Sequence, residues 1–264
     1  MNKIVRILPG IFLSLLSLSS CDGLFTEDCI YKGYLHARNG FHHPSDMGTP
    51  EQAEMNLMVF PLTGNGVAEY DNLSIPFNGS GDAYGTLHIG SYEFLACNKD
   101  VNILEDAGSA ATVRLRVPTE QGKITAEQGY AYSSSVTGTV MTDDTLHVTA
   151  PMRQYVRRLD IELTATEGDY SRVQSATATL SGVASAADMA TGDRSAAAQV
   201  TNAFRQDGNK FTIFFRLLGI VPTETHTLTV DITFNNGDTQ RVVSDLTEAI
   251  RDFNNGTKPV KLTG

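Results

Sequence analysis

Tryptophan is absent from this 264-residue chain, and cysteine occurs only three times. Without indole, the broad aromatic face that sugar-binding platforms favour is missing, and 9 tyrosines and 12 phenylalanines must serve instead. Cationic side chains are also scarce, with 20 Lys and Arg against 30 Asp and Glu and a formal charge of −10. That balance argues against nucleic acid as a partner, because binding it requires clustered cations that displace counterions. The one basic cluster, Arg153 to Arg158 in MRQYVRRLD, is short and falls in an expected strand.

Motifs for catalysis are lacking too. The chain has no Gly-x-Ser-x-Gly elbow and no His-Glu-x-x-His helix. FHHPSD (41 to 46) brings two histidines and an aspartate together. Adjacent histidines on a strand face opposite sides, and no third ligand has zinc spacing, so the segment reads as a solvated loop. Asp143-Asp144 reads as a turn, not as a pair of catalytic acids. The glycines of GSGDAYG (79 to 85) do not open a helix after a strand, as a phosphate loop would. No catalytic residue, metal or cofactor is expected, and the chain is not read as an enzyme.

Long apolar runs are confined to the start. Lys3 and Arg6 precede a short apolar segment, Ile7 to Leu18, interrupted by Pro9 and followed by small residues. This is the layout of an export signal, too short for a lasting transmembrane helix. Leu18-Ser19-Ser20-Cys21 resembles the bacterial lipobox, in which the signal is removed and the new terminal cysteine is acylated. Cys21 would then carry lipid and hold the protein at a membrane, since each buried methylene contributes about 0.8 kcal/mol. The alternative is a plain secretory signal cut near Ser20, leaving Cys21 an ordinary thiol.

Processing would leave Cys29 and Cys97 in an oxidising compartment. With no Cys-x-x-Cys spacing and no histidine cluster, a disulfide between them is favoured over metal binding or catalysis, and two buried thiols are the alternative. A bridge closing so long a loop would contribute roughly 4 kcal/mol in relaxed geometry.

What remains is written in strands. YKGYLHAR (31 to 38), MNLMVFPL (55 to 62), NLSIPF (72 to 77), GTLHI (85 to 89), YEFLAC (92 to 97), TVRLRV (112 to 117) and TLHVTA (145 to 150) are short and rich in β-branched or aromatic residues. Turn-forming TGNG, NGSGD and TEQG separate several of them. After Pro151 the pattern restarts, with strands expected at 154 to 166, 175 to 183, 210 to 219 and 226 to 234. A hairpin through Asn235-Asn236-Gly237-Asp238 leads to 239 to 246, and a last strand falls at 258 to 262. LTEAIRDFN (246 to 254) reads as the one helix, with Leu246, Ile250 and Phe253 spaced to cover one side and Asp245 able to cap it. The Ala- and Ser-rich stretch from Ala184 to Ala198 reads as a long loop. The expected organisation is a signal peptide at 1–20, a lipidated linker at 21–28, and two β-sandwiches at 29–150 and 151–264.

Four segments together resemble one family. CDGLFTEDC at the mature start, LHIGSYEFLACN (87 to 98), PMRQYVRRLDIEL (151 to 163) and SDLTEAIRDFNNGTKPVKL (244 to 262) are similar to the FimB-type fimbrial anchor and fimbrillin-associated lipoproteins of Bacteroidetes. That family commonly has Pro after its second cysteine, where this chain has Ile30, and Trp in the Gly-x-Tyr strand. The resemblance implies two tandem transthyretin-like, fimbrillin-like sandwiches, Cys21 as lipid anchor, and Cys29 and Cys97 as the other two matched cysteines. It also implies an outer-membrane lipoprotein exposed at the cell surface, with other fimbrial subunits as partners and assembly by strand addition to a sheet edge. Asp22, Glu27 and Asp28 resemble surface-export signals, with a solvated acidic linker as the alternative. A surface glycan- or ligand-binding β-sandwich lipoprotein is the alternative function.

Overall fold

The computed structural model describes residues 31–40, 54–62, 73–98, 104–105, 108–126, 129–256 and 258–264. Strands dominate these residues, with 3-10 turns as their only helices. The first half carries β1 (Lys32–Gly40), β2 (Met55–Pro61), β3 (Leu73–Pro76), β4 (Asp82–His88), β5 (Gly90–Asn98), β6 (Leu104–Glu105), β7 (Arg114–Arg116), β8 (Thr119–Glu120), β9 (Lys123–Ile124), β10 (Tyr132–Val140) and β11 (Thr145–Pro151). The second carries β12 (Arg153–Gln154), β13 (Arg157–Thr164), β14 (Val173–Asp188), β15 (Arg194–Ala203), β16 (Arg205–Asp207), β17 (Lys210–Leu217), β18 (Thr227–Phe234), β19 (Thr239–Asp245) and β20 (Val260–Thr263).

Four main sheets pack as two sandwiches. A three-stranded sheet, β11-β1-β4, faces a five-stranded one, β12-β10-β5-β2-β3. Alternation along β1 sends Leu35 and Ala37 inward to meet Leu57, Val59, Phe94 and Val148, and leaves Tyr34, His36 and Arg38 outside. The second sandwich sets β16-β17-β13-β20 against a sheet ordered β19-β18-β14-β15-β9-β8. Leu159, Leu180, Phe215 and Phe253 are fully buried between them, each contributing about 1.5–3 kcal/mol of transfer free energy.

A third apolar cluster joins the two halves. Leu95 and Cys97 point away from the first core and meet Val113, Leu115, Tyr155, Ala187 and Met189. β5 is therefore covered on both faces, which explains why YEFLAC is almost continuously apolar. Strands of the first half also cross over: β7 pairs with β14 and β9 with β15, so β6 to β9 lie on the second half's sheet.

Two sequence expectations are corrected. The stretch from Ala184 to Ala198 is not a loop, because β14 and β15 form a long antiparallel hairpin through it. Val183, Ala184, Ala186 and Ala187 are buried there, and their small volume lets neighbouring layers approach. Residues 246 to 254 form successive turns ending in a 3-10 helix at Phe253–Asn255. Ile250 and Phe253 do face the core as their spacing suggested, and the Asp245 carboxylate accepts from the Thr247 amide at 2.9 Å. Asn254 ends the run by bonding both the amide and the carbonyl of Ile220, at 2.9 and 2.8 Å. The expected 235–238 turn and the final strand are both present, and β20 pairs in parallel with β13 inside its own sheet.

Candidate functional site

Cys21, Cys29 and the FHHPSD histidines lie outside the described residues, as do Asp22, Glu27 and Asp28. Cys97 lies buried in β5 with no disulfide partner among the described residues, and as a thiol it would be pushed by burial up to about 11. Asp143 and Asp144 sit in the turn before β11, with Asp143 in the left-handed region at φ 54°. GSGDAYG turns into β4, with Gly81 at φ 79°. The structure does not gather these residues into one site, and among the described residues no three His, Cys, Asp or Glu side chains converge as metal ligands.

Three surfaces stand out instead, and they include Arg158 of the basic cluster and Asp82 and Tyr84 of GSGDAYG. The first is the edge strand β19. Among the described strands it pairs only with β18, and all seven of its residues are exposed. Val242 and Val243 are 42% and 61% exposed and point to opposite faces, so neither face of this strand is covered. A bare edge of this kind presents an unpaired row of N–H and C=O groups.

The second is a groove of about 840 Å³ over the outer face of the β13–β17 ladder, walled by Val200 to Ala203 and Ile124 to Ala126. Arg158 lies over the Phe214 ring at 4.5 Å and donates to Asp160 at 2.6 Å. Lys210 and Lys261 flank Glu162 at 3.2 and 3.3 Å and hold its carboxyl below the usual range. These charges satisfy one another, as on a solvated face.

The third is the outer face of the β11-β1-β4 sheet. His36 stands opposite His147 on one side and Tyr84 on the other, with Tyr34 two residues away. The His36 and Tyr84 rings stack at 4.7 Å and 10°, and the His147 ring meets His36 edge-on at 5.2 Å. Asp82 is bonded by His36 Nε2 at 2.9 Å and Arg38 Nε at 3.2 Å. The His36 bond, helped by Arg38, holds the Asp82 carboxyl below its ordinary range against the cost of burial. Tyr34 and Tyr84 remain 51% and 62% exposed beside a hollow of about 490 Å³.

No protein-family model matches the sequence, and no curated protein does. Solved structures do match: a candidate adhesin from Bacteroides ovatus aligns with TM-score 0.67 and 13% identity, over 87% of this chain and 88% of that one. The likeness is one of fold. The fimbrial anchor protein Mfa2 from Porphyromonas gingivalis aligns with TM-score 0.60 and 14% identity over 87% and 90% of the two chains. Candidate polysaccharide-binding proteins of Bacteroides thetaiotaomicron give 0.58 and 11% over 88% and 90%. Nearly the whole length of each neighbour is matched, so the paired-sandwich architecture is shared throughout.

Proposed function

We propose that this chain is a cell-surface adhesin or fimbrial subunit, tethered to the outer membrane through lipid on Cys21, that assembles by β-strand addition. The observation that carries the reading is the bare edge of β19, with both faces uncovered. An extended segment from a neighbour can hydrogen-bond along such an edge, with Val242 and Val243 giving apolar contact on either side. The fold likeness to the fimbrial anchor Mfa2 and to candidate adhesins supports the same reading. A bridge between Cys29 and Cys97 would tie the linker to β5, and the reading assigns no catalytic step.

A second reading has its own support. The exposed Tyr34 and Tyr84 beside the β1–β4 hollow offer a platform for a sugar ring, and one neighbour is a candidate polysaccharide-binding protein. Purified full chain, presented to fimbrial subunits in a pull-down and to polysaccharide in an affinity gel, separates the two. Subunit capture without retardation by polysaccharide supports assembly; retardation alone favours the glycan reading; if neither is seen, no binding role is sustained.

A further inference from the structure

We propose that Nδ1 of His36 and Nδ1 of His147 form a two-point site for a divalent transition metal of the Cu(II) or Ni(II) type on the outer face of the β11-β1-β4 sheet. The two atoms lie 3.1 Å apart. Two metal–nitrogen bonds of about 2.0–2.1 Å meeting at a right angle place their nitrogens about 3 Å apart, whereas tetrahedral ligands stand roughly 3.3–3.4 Å apart. The spacing therefore fits adjacent positions of a square-planar or tetragonal centre, the geometry that Cu(II) and Ni(II) prefer with nitrogen ligands.

Protonation of the pair follows from the hydrogen bonds. His36 Nε2 donates to Asp82, which leaves a lone pair on His36 Nδ1. With both rings neutral and no metal bound, this tautomer of His36 requires His147 Nδ1–H to donate into that lone pair. When a metal binds, the His147 proton moves to its own Nε2 and both Nδ1 lone pairs are free, with no net change in protonation. Asp82 then plays the outer partner that fixes ring and tautomer in metal-ligating histidines. Arg38 fixes Asp82 in turn, and Tyr84 stacks against His36. The backbone adds rigidity, because His36 and His147 are direct partners in the parallel β1–β11 register. Exposed His147 leaves the remaining metal positions to water.

The test is titration of the tag-free full chain in detergent with CuCl2, followed by electron paramagnetic resonance and by thermal unfolding. One equivalent bound per chain with nitrogen couplings from imidazole is expected. His147→Gln, at an exposed position, should weaken binding at least tenfold without altering the circular dichroism, and Asp82→Asn should weaken it about 10–100-fold. A His42→Gln/His43→Gln double variant serves as the control and should retain the site. Cu(II) binding that survives His147→Gln, binding lost in the control variant, or no binding by the native chain would each overturn the proposal.

Discussion

The ring of His226 lies against the α-carbon of Gly182, so close that a methyl group there would meet Nδ1 and would stand 2.9 Å from the Thr225 carbonyl oxygen. Gly182 has φ 73° and marks the register shift in β14 between Leu180 and Val183. Both conditions call for glycine at this bulge. Gly182→Ala should therefore destabilise the protein by about 2–4 kcal/mol, combining left-handed strain with overpacking. Urea unfolding followed by circular dichroism measures it, and a loss within experimental error would show that the strand relaxes freely.

Burial holds His226 below the ordinary histidine range, and burial followed by the Lys32 charge does the same for His88. Each binds a proton more readily in the unfolded chain. Stability is thus fully present above the ordinary histidine value of about 6.5 and declines as pH falls through it towards the depressed folded values. The urea midpoint at pH 5 should be lower than at pH 7.5, and His226→Gln should flatten that dependence. An unchanged slope in the variant would remove His226 from the account.

At the β19 edge, Val243→Lys should leave stability within about 0.5 kcal/mol, because the side chain is exposed. It should nonetheless abolish capture of fimbrial subunits, since a lysine on an edge strand opposes further pairing. Capture at native strength by the variant would move the assembly surface elsewhere.

The cysteines give two separable outcomes. Cys21→Ala should prevent acylation and release the protein from the membrane fraction. Non-reducing peptide mapping should find Cys29 joined to Cys97. Were the thiols instead unpaired, Cys97 would resist alkylation in the native protein, being buried and pushed up to about 11, and would react readily once unfolded without reductant.

Much of the fold was legible because most strands alternate or carry turn residues at their ends. β1, β2, β5, β11, β13 and β17 all fall where hydrophobic pattern placed them. The hairpin through Ala184 to Ala198 was not, because alanine and serine give little hydrophobic contrast even where Ala184 and Ala187 are wholly buried. The 246 to 254 segment showed the correct buried face but not its backbone, since it is too short to sustain a helix and Asn254 is drawn to Ile220. The His36–His147 pair was hidden for a different reason. Each histidine could be placed on an outward strand position, Tyr34-x-His36-x-Arg38 and Thr145-x-His147-x-Thr149, yet only the long-range parallel pairing of β1 with β11 brings them together. His42 and His43 are neighbours in sequence, but sequence adjacency says nothing about convergence in space.

The central place of β1 also governs how the molecule carries load. Tension on the residues ahead of Lys32 enters along this strand, which is gripped on one flank by β11 and on the other by β4. Pulling it out shears two rows of backbone hydrogen bonds at once, whereas β19, held on a single flank by β18, can be peeled one bond at a time. Force applied ahead of Lys32 therefore meets two rows of pairing, whereas force applied to β19 meets one.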